Sequence, residues 1–510
     1  MKIARDQRVR QDAVLAKLLV VGENVLMTTA SDQLFAVQEA ERPATPAVPA
    51  GRSKTFRPYD PTQQFLLPPS IDDWLPQGHE ARFIAEAVDE LLDLEGIYAS
   101  YAVADGAPPY DPKMMLKLLL WGYSCGVTSS REMERRCTTD VAFRFLSANQ
   151  APDYRSIARF RRRHLVALEA LFVQVLALCA GAGLVKLGRV ALDGTKLRAS
   201  ASRHKAMSYD RLGPKIEDYE AQVKDLLAEA EVVDQEEDDA FGEDRRGDEI
   251  AEELTRRETR LEKMRAAKEA IEADAREKAA AKAARKAKDA GKSDEEVRQA
   301  AEQAAEKAKP EGRAQRNFTD PESRMMKTND GFHYAYNAQA VVDEEAQVIL
   351  AAEVTQAAND VDQLFEMDDR AKENLAAAGV EKNPKTFLAD AGYCSDDNLE
   401  QAESADIDVL IATGRLTHTE RVSDAPRGRI PKDATARERM ARRLRTKKGR
   451  ANYARRKAIV EPVFGQVKVR QKAGFLRLRG IEGAQGEWTL HALCHNLRKL
   501  ANANPVSAPA

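Results

Sequence analysis

The chain has 510 residues, 43% hydrophobic and 32% charged, with 79 Lys and Arg against 82 Asp and Glu, a net charge of −3. That length gives material for two or three domains with an ample core, and the balance of apolar and charged residues describes a globular, soluble chain. Cys125, Cys137, Cys179, Cys394 and Cys494 are scattered and lack Cys-x-x-Cys spacing, which excludes zinc and disulfide frameworks and suits a reducing cytoplasm, and no apolar run reaches the length of a membrane span.

In chain order, residues 1–41 read as a small helical appendage. Ala13 to Val21 follows basic residues as a signal peptide would, but Lys17 interrupts the run and Glu23 closes it, so a short amphipathic helix is expected. Residues 42–69, rich in proline, read as a linker (with the appendage, 1–69). From 70 to 185 the pattern is helical. Asp111 opens a helix through Met114, Met115, Leu118, Leu119 and Trp121 that stops near Gly126, and Ser129 with Glu132 forms a capping box for the next. A further helix is expected from Asp153 to Cys179. Its first half sets Arg155, Arg159, Arg162 and Arg163 at i, i+4, i+7 and i+8 on one face. Such a stripe can cross a DNA backbone, with the preceding helix-turn-helix-like units in a major groove; an ordinary helical bundle with a basic surface is the alternative.

A sheet follows. Gly188 to Asp193, Thr386 to Ala389 and Asp408 to Ala412 read as strands, and Tyr334 to Val342 with Gln347 to Thr355 as a hairpin around Asp343-Glu-Glu-Ala. Leu364 to Ala378 supplies a helix between them. This order predicts an α/β core with a mixed sheet flanked by helices, built from residues 186–209 and 316–503. Between the two parts, residues 210–315 form a charged helical insertion: Ile216, Tyr219, Val223, Leu226 and Leu227 mark one helix, and Ile250, Leu254, Leu261, Met264 and Ile271 a second. We expect a helical hairpin arm, which dimerises, touches DNA or serves as a solvated spacer. Leu490, Leu493, Leu497 and Leu500 mark a core-packing terminal helix from Trp488.

Three short stretches carry the chemistry: Val-Ala-Leu-Asp-Gly-Thr at 190–195, Leu-Ala-Asp-Ala-Gly-Tyr at 388–393, and Ile-Val-Glu-Pro-Val-Phe-Gly-Gln-Val-Lys at 459–468. The first two are apolar strands ending on aspartate; the third is a helix bearing glutamate. An aspartate before glycine is by itself commonly a turn former. Two after apolar runs, with a third acid on a helix, make Asp193, Asp390 and Glu461 candidate ligands for two Mg²⁺ ions, since hard oxygen donors suit that ion. Two such ions activate a nucleophile and steady the leaving oxygen of a phosphodiester. Pro462 disfavours helical geometry at the residue before it, which places Glu461 in the first turn of its helix, and Lys468, seven residues on, shares its face.

The order of these blocks resembles the DDE transposases of bacterial insertion sequences. The string Asp193-Gly-Thr-Lys-Leu-Arg-Ala-Ser-Ala-Ser-Arg-His-Lys-Ala-Met-Ser-Tyr209 is similar to the family's first block, and residues 320–343 to its following hairpin. The third block, often written Tyr-x2-Arg-x3-Glu-x6-Lys, is met by Tyr453, Arg456, Glu461 and Lys468 with spacings of two, four and six. The resemblance, running from about residue 55 to near 500 without the insertion, implies an RNase H-like core and an all-helical, DNA-binding domain before residue 185. It implies Asp193, Asp390 and Glu461 as catalytic and metal-binding residues, with Mg²⁺ as two ions and Mn²⁺ as a substitute, and Tyr453, Arg456 and Lys468 at DNA. The implied partners are double-stranded DNA, both the terminal inverted repeats and the target, and a second copy on paired ends; no membrane is expected. A metal-dependent nuclease without strand transfer, or an inactive DNA-binding protein derived from a transposase, are the competing readings. The weak net charge hides asymmetry: between Arg427 and Arg479 stand nineteen Lys and Arg against three acids. The run Arg437 to Arg450, directly before the Glu461 helix, is expected to contact phosphate.

Overall fold

The computed structural model describes residues 70–503 apart from 102–107, 203–204, 242–247, 329, 406, 415–424, 426–427 and 432, and the side chains in that span apart from those of 227 and 229–254. The appendage and linker expected over 1–69 lie outside the described residues. The described residues from 70 to 503 belong to one compact unit.

Helices come first: α1 (Glu80–Glu86), α2 (Pro112–Ser124), α3 (Ser130–Thr139), α4 (Val141–Leu146), α5 (Tyr154–Arg163) and α6 (Leu165–Gly181). Asp111 starts α2 by accepting from the backbone of Lys113 at 2.7 Å, with proline at the first helical position, where no N–H is missed. Ser129 is the N-cap of α3 but makes no side-chain cap bond; Glu132, expected to close a capping box, pairs instead with Arg135 and Arg136 at 2.7 and 3.0 Å. The single helix expected from Asp153 to Cys179 is two, bent by 70°. His164 at the break has φ −110° and ψ 26°, outside helical geometry, and its buried ring bonds the Tyr101 hydroxyl at 3.2 Å. The bend leaves basic α5 at the surface while Leu168, Leu171, Val175 and Cys179 of α6 enter the core.

Strand β1 (Arg189–Arg198) leads to β2 (Ala206–Ser208) and the insertion. The insertion holds three helices rather than a pair: α7 (Tyr209–Phe241), α8 (Asp248–Asp289) and α9 (Asp294–Glu306). Ser293 and Glu296 form a reciprocal capping box that starts α9 just after the positive-φ Gly291. Leu212, Ile216, Leu261, Met264 and Ile271 form a small core of their own at the base of the arm, while the side chains of Leu227, Ile250 and Leu254 lie outside the described ones. Strand β3 (Gln315–Asn317) returns antiparallel to β2, Ala206 opposite Asn317.

The main sheet adds β4 (Arg324–Thr328), β5 (Gly331–Asp343), β6 (Ile349–Thr355), β7 (Thr386–Ala389) and β8 (Val409–Ile411). Strand β5 is antiparallel to β1 on one side and to β4 and β6 on the other, whereas β1, β7 and β8 run parallel. The mixed α/β sheet is as expected from the strand pattern. Helix α10 (Gln363–Ala377) precedes β7, α11 (Asp396–Ser404) precedes β8, and α12 (Ala436–Arg445), α13 (Lys447–Val469) and α14 (Ile481–Ala503) close the chain. β1 is longer than expected. Its pairing with β5 continues from Asp193 opposite Ala340 to Arg198 opposite Ala335, so Asp193 sits within the strand and not at its end.

One apolar core runs from Leu75 through the sheet to Leu500. Trp488 of α14 is buried and donates its indole N–H to the Gln339 carbonyl at 2.9 Å, while Asn496 pairs with both backbone groups of Ile349 at 2.8 Å. Glu487, also buried, accepts from the Tyr123 hydroxyl at 2.9 Å, which in turn accepts from Arg161 at 2.8 Å. Arg161 also donates to the Thr128 carbonyl at 2.9 Å, so this buried polar chain ties the early helices to α14. Among the described residues, no single helix is long and apolar enough to cross a membrane.

Candidate active site

The site grows from one register. β1 and β7 pair in parallel with Ala191 opposite Leu388, and the same register carried two residues further sets Asp193 level with Asp390. Asp390 follows β7 directly and begins a single turn, accepting the Gly392 N–H on Oδ1 at 2.7 Å. Asp193 accepts the Gly194 N–H on its own Oδ1 at 2.9 Å. Both carboxylates therefore spend one oxygen on local backbone and turn the other, Oδ2, toward the same cation. That cation is Arg456 of α13, whose Nη2 lies 2.9 Å from Asp193 and 3.9 Å from Asp390.

Arg456 is only 8% exposed, and its Nε has no hydrogen-bond partner among the described residues. A buried guanidinium shared by two carboxylates compensates them incompletely. Burial pushes Asp193 up to about 6 in spite of Arg456, and the neighbouring Asp390 adds to the rise. Tyr393, whose hydroxyl donates to Gln339 Oε1, is raised by burial and then by Asp360, Asp193 and Asp390. Tyr453 is raised by burial as well, with Arg456 opposing. Burial lowers Lys468 while Asp193 pulls it up. Lys468 lines a cavity of about 350 Å³ with Gly194, Lys196, Arg198 and Lys327.

Asp360, which sequence reasoning missed, lies beside the pair. Its Oδ1 accepts from Asn337 at 2.6 Å, Gln339 at 2.8 Å and Lys196 at 3.2 Å. Gly194 leaves room for this cluster: a Cβ in its place would stand 2.4 Å from Gln339 Nε2 and 2.9 Å from Asp360 Oδ1, so both side chains would have to move. The available signal was an Asn-Asp pair just after a strand, at 359–360, too common in loops to stand out.

Glu461 is placed differently from its expected first turn. It lies in the body of α13, and Pro462 sits inside the helix. The proline removes the N–H that would reach the Ala458 carbonyl, and Gln347 Nε2 fills the gap by donating to that carbonyl at 2.9 Å. Glu461 is exposed and has no hydrogen-bond or ion-pair partner among the described residues. Five residues from Arg456, it is turned about 140° around the helix, to the side that carries Lys468. The structure thus brings Asp193, Asp390, Arg456, Tyr453 and Lys468 together, and Glu461 stands outside that contact set.

Among the described residues, no group of three or more His, Cys, Asp or Glu is arranged to hold a metal ion. Asp193 and Asp390 nevertheless fit a shared hard cation, because both free oxygens already converge on one positive group.

The expected phosphate contacts divide. Arg155, Arg159, Arg162 and Arg163 are exposed on α5; Arg155 donates to the Tyr154 hydroxyl, and Arg163 to the Ser100 carbonyl while covering the Tyr101 ring. In the basic run, Arg437 pairs with Asp396 at 2.8 Å, Arg439 with Glu403 and Arg443 with Asp408.

Residues 305–497, which hold Asp390, Arg456 and Glu461, match the family model described as Transposase DDE domain, and residues 69–163 match Transposase domain (DUF772). The chain belongs to the DDE-type transposases of insertion sequences. The two matches together span more than half of this transposase and make it a nucleic-acid-processing enzyme. No curated protein and no solved structure matches the transposase.

Proposed function

We propose that the transposase binds the inverted terminal repeats of its insertion sequence as duplex DNA and performs Mg²⁺-dependent strand cleavage and strand transfer, with Asp193, Asp390 and Glu461 as its carboxylate triad. The observation that carries this reading is the level placement of Asp193 and Asp390 on parallel neighbours, each with one oxygen turned to a common cation. The antiparallel run β1, β5, β6 continued by parallel β7 and β8 supports an RNase H-like core.

When bound, the ions supply positive charge at the scissile phosphate and an activated oxygen nucleophile, water for cleavage and a 3′-hydroxyl for joining. Asp193 and Asp390, whose Oδ2 atoms now face Arg456, would hold them, and the unpaired Glu461 would provide the third carboxylate. Arg456, Tyr453 and Lys468 hold nearby phosphates. Tyr393, Gln339 and Asp360 fix the floor beneath the aspartates. Helix α5 offers Arg155, Arg159, Arg162 and Arg163 to the terminal repeats, and two copies act on paired ends.

Cleavage of a terminal-repeat duplex in Mg²⁺, or in Mn²⁺ as substitute, tests this. Asp193→Ala, Asp390→Ala and Glu461→Ala should each lose about a thousandfold or more in rate while still binding the duplex. Unchanged cleavage in all three overturns the triad. Pre-nicked ends with a target plasmid should give joined products; hydrolysis without joining would leave a nuclease, and binding without cleavage a DNA-binding protein.

A further inference from the structure

We infer that a basic track leads from the aspartate pair to helix α5 and seats the phosphate backbone of duplex DNA, an inference that rests on the reading above that the transposase acts on DNA. Its new members are Arg198, Lys327, Arg477 and Arg479, with Lys468 at the catalytic end and Arg162 at the other.

The track is built by the chain segment between α13 and α14. That segment borders two cavities. The first, of about 350 Å³, is lined by Arg198, Lys327, Lys468 and Gly474; the second, of about 660 Å³, by Arg162, Arg477, Arg479 and Gly480. Strand β1 delivers Arg198 five residues beyond Asp193, and there it docks on the segment: the Arg198 N–H donates to the Gly474 carbonyl at 3.1 Å, and the Leu476 N–H to the Arg198 carbonyl at 2.8 Å. From there the segment is extended and alternates. Leu476 and Leu478 are buried, so Arg477 and Arg479 are pushed into solvent. Buried Glu487 holds the backbone in this state by accepting the N–H groups of Arg477 and Leu478 at 2.7 and 2.9 Å.

What separates these cations from the paired arginines of α12 is their lack of compensation. Among the described residues, Arg162, Arg198, Lys327, Arg477 and Arg479 have no carboxylate within ion-pair distance. Arg479 meets only the Ser200 carbonyl at 3.3 Å, and Arg477 the Thr128 hydroxyl at 3.4 Å and the Phe475 ring. The acids that also line the cavities are Asp330, Glu322 and Glu482, and Glu322 is occupied by the Ile481 N–H at 2.7 Å. Cations free of carboxylates release bound counterions when they meet phosphates, and this drives association with a polyanion. Contacts of this type position a duplex without reading its sequence.

The test is fluorescence anisotropy of the full-length protein with a labelled duplex over a salt series in Mg²⁺-free buffer. Arg198→Ala, Lys327→Ala and Arg479→Ala should each weaken binding equally for terminal-repeat and unrelated duplexes, and each should lower the slope of log affinity against log salt by about one. Arg439→Ala, in the compensated run, should leave the slope unchanged. Wild-type slope and affinity in all three track variants, or a loss reproduced by Arg439→Ala, overturns the track. If the wild-type protein binds no duplex, the reading that it acts on DNA fails and the track falls with it. Lys327 and Arg198 are exposed side chains, so circular dichroism should show both variants folded, and Lys327→Ala alone suffices to decide if another does not fold.

Discussion

At the surface of α12 each of Arg437, Arg439 and Arg443 has a carboxylate of its own and stands partly in water. Beneath α13 the ratio is reversed: Asp193 and Asp390 share the single buried Arg456, and Asp193 is largely screened from solvent while Asp390 stays partly open to it. The first arrangement is near neutral and weakly held, because exposed pairs gain little in high dielectric. In the second, burial and shared compensation leave excess negative charge that further cations relieve. Charge density along the chain is therefore a poorer guide to a polyanion or metal site than the balance each charge finds in space.

Three measurements press on this contrast. The largest effect is expected at Asp360, whose carboxylate is gripped by Lys196, Asn337 and Gln339 beside the pair. Asp360→Asn should slow cleavage of a terminal-repeat duplex by about 10–100-fold with duplex binding retained, as outer-shell changes do; a wild-type rate would remove Asp360 from the acidic cluster. Next is the metal-free pH dependence of stability. Asp193 rises from 3.8 to about 6 on folding, so its neutral form is the one the fold favours. Its stabilising contribution is complete below pH 3.8 and is lost as pH climbs through 6. Asp193→Asn should consequently be more stable than wild type at pH 7, by about 1–3 kcal/mol, and the two should converge near pH 4, as read by thermal melts in chelator. A less stable variant at pH 7 would mean that Arg456 compensates Asp193 fully. The smallest effect belongs to the surface: Arg439→Ala should change stability by no more than about 0.5 kcal/mol in denaturant titrations. A larger loss would show that the paired run is a structural element.

Much of the sheet was legible because apolar alternation and flanking turn residues are local signals. The hairpin of β5 and β6, the short buried β7 and β8, and the two aspartates after apolar runs all followed from residues adjacent in sequence. Much of what escaped depended on distant partners. Pro462 looked like a helix boundary because nothing nearby reveals that Gln347 satisfies the carbonyl it orphans. The break at His164 is set by Tyr101, and the extension of β1 by β5. Glu132 left its expected capping role because two arginines one turn on compete for it. Arg477 and Arg479 were counted within a basic stretch, but their alternation with Leu476 and Leu478, a readable signal, is what aims them outward.

The β2 and β3 pairing has a consequence for descent as well as for shape. Because Ala206 and Asn317 are direct partners, the polypeptide comes back to the point where it departed, and the hundred-odd intervening positions impose no displacement on the sheet. Shortening or lengthening that excursion in frame should therefore leave the pairing of the two aspartate-bearing strands in place, at the cost of contacts such as Arg285 with Asp397.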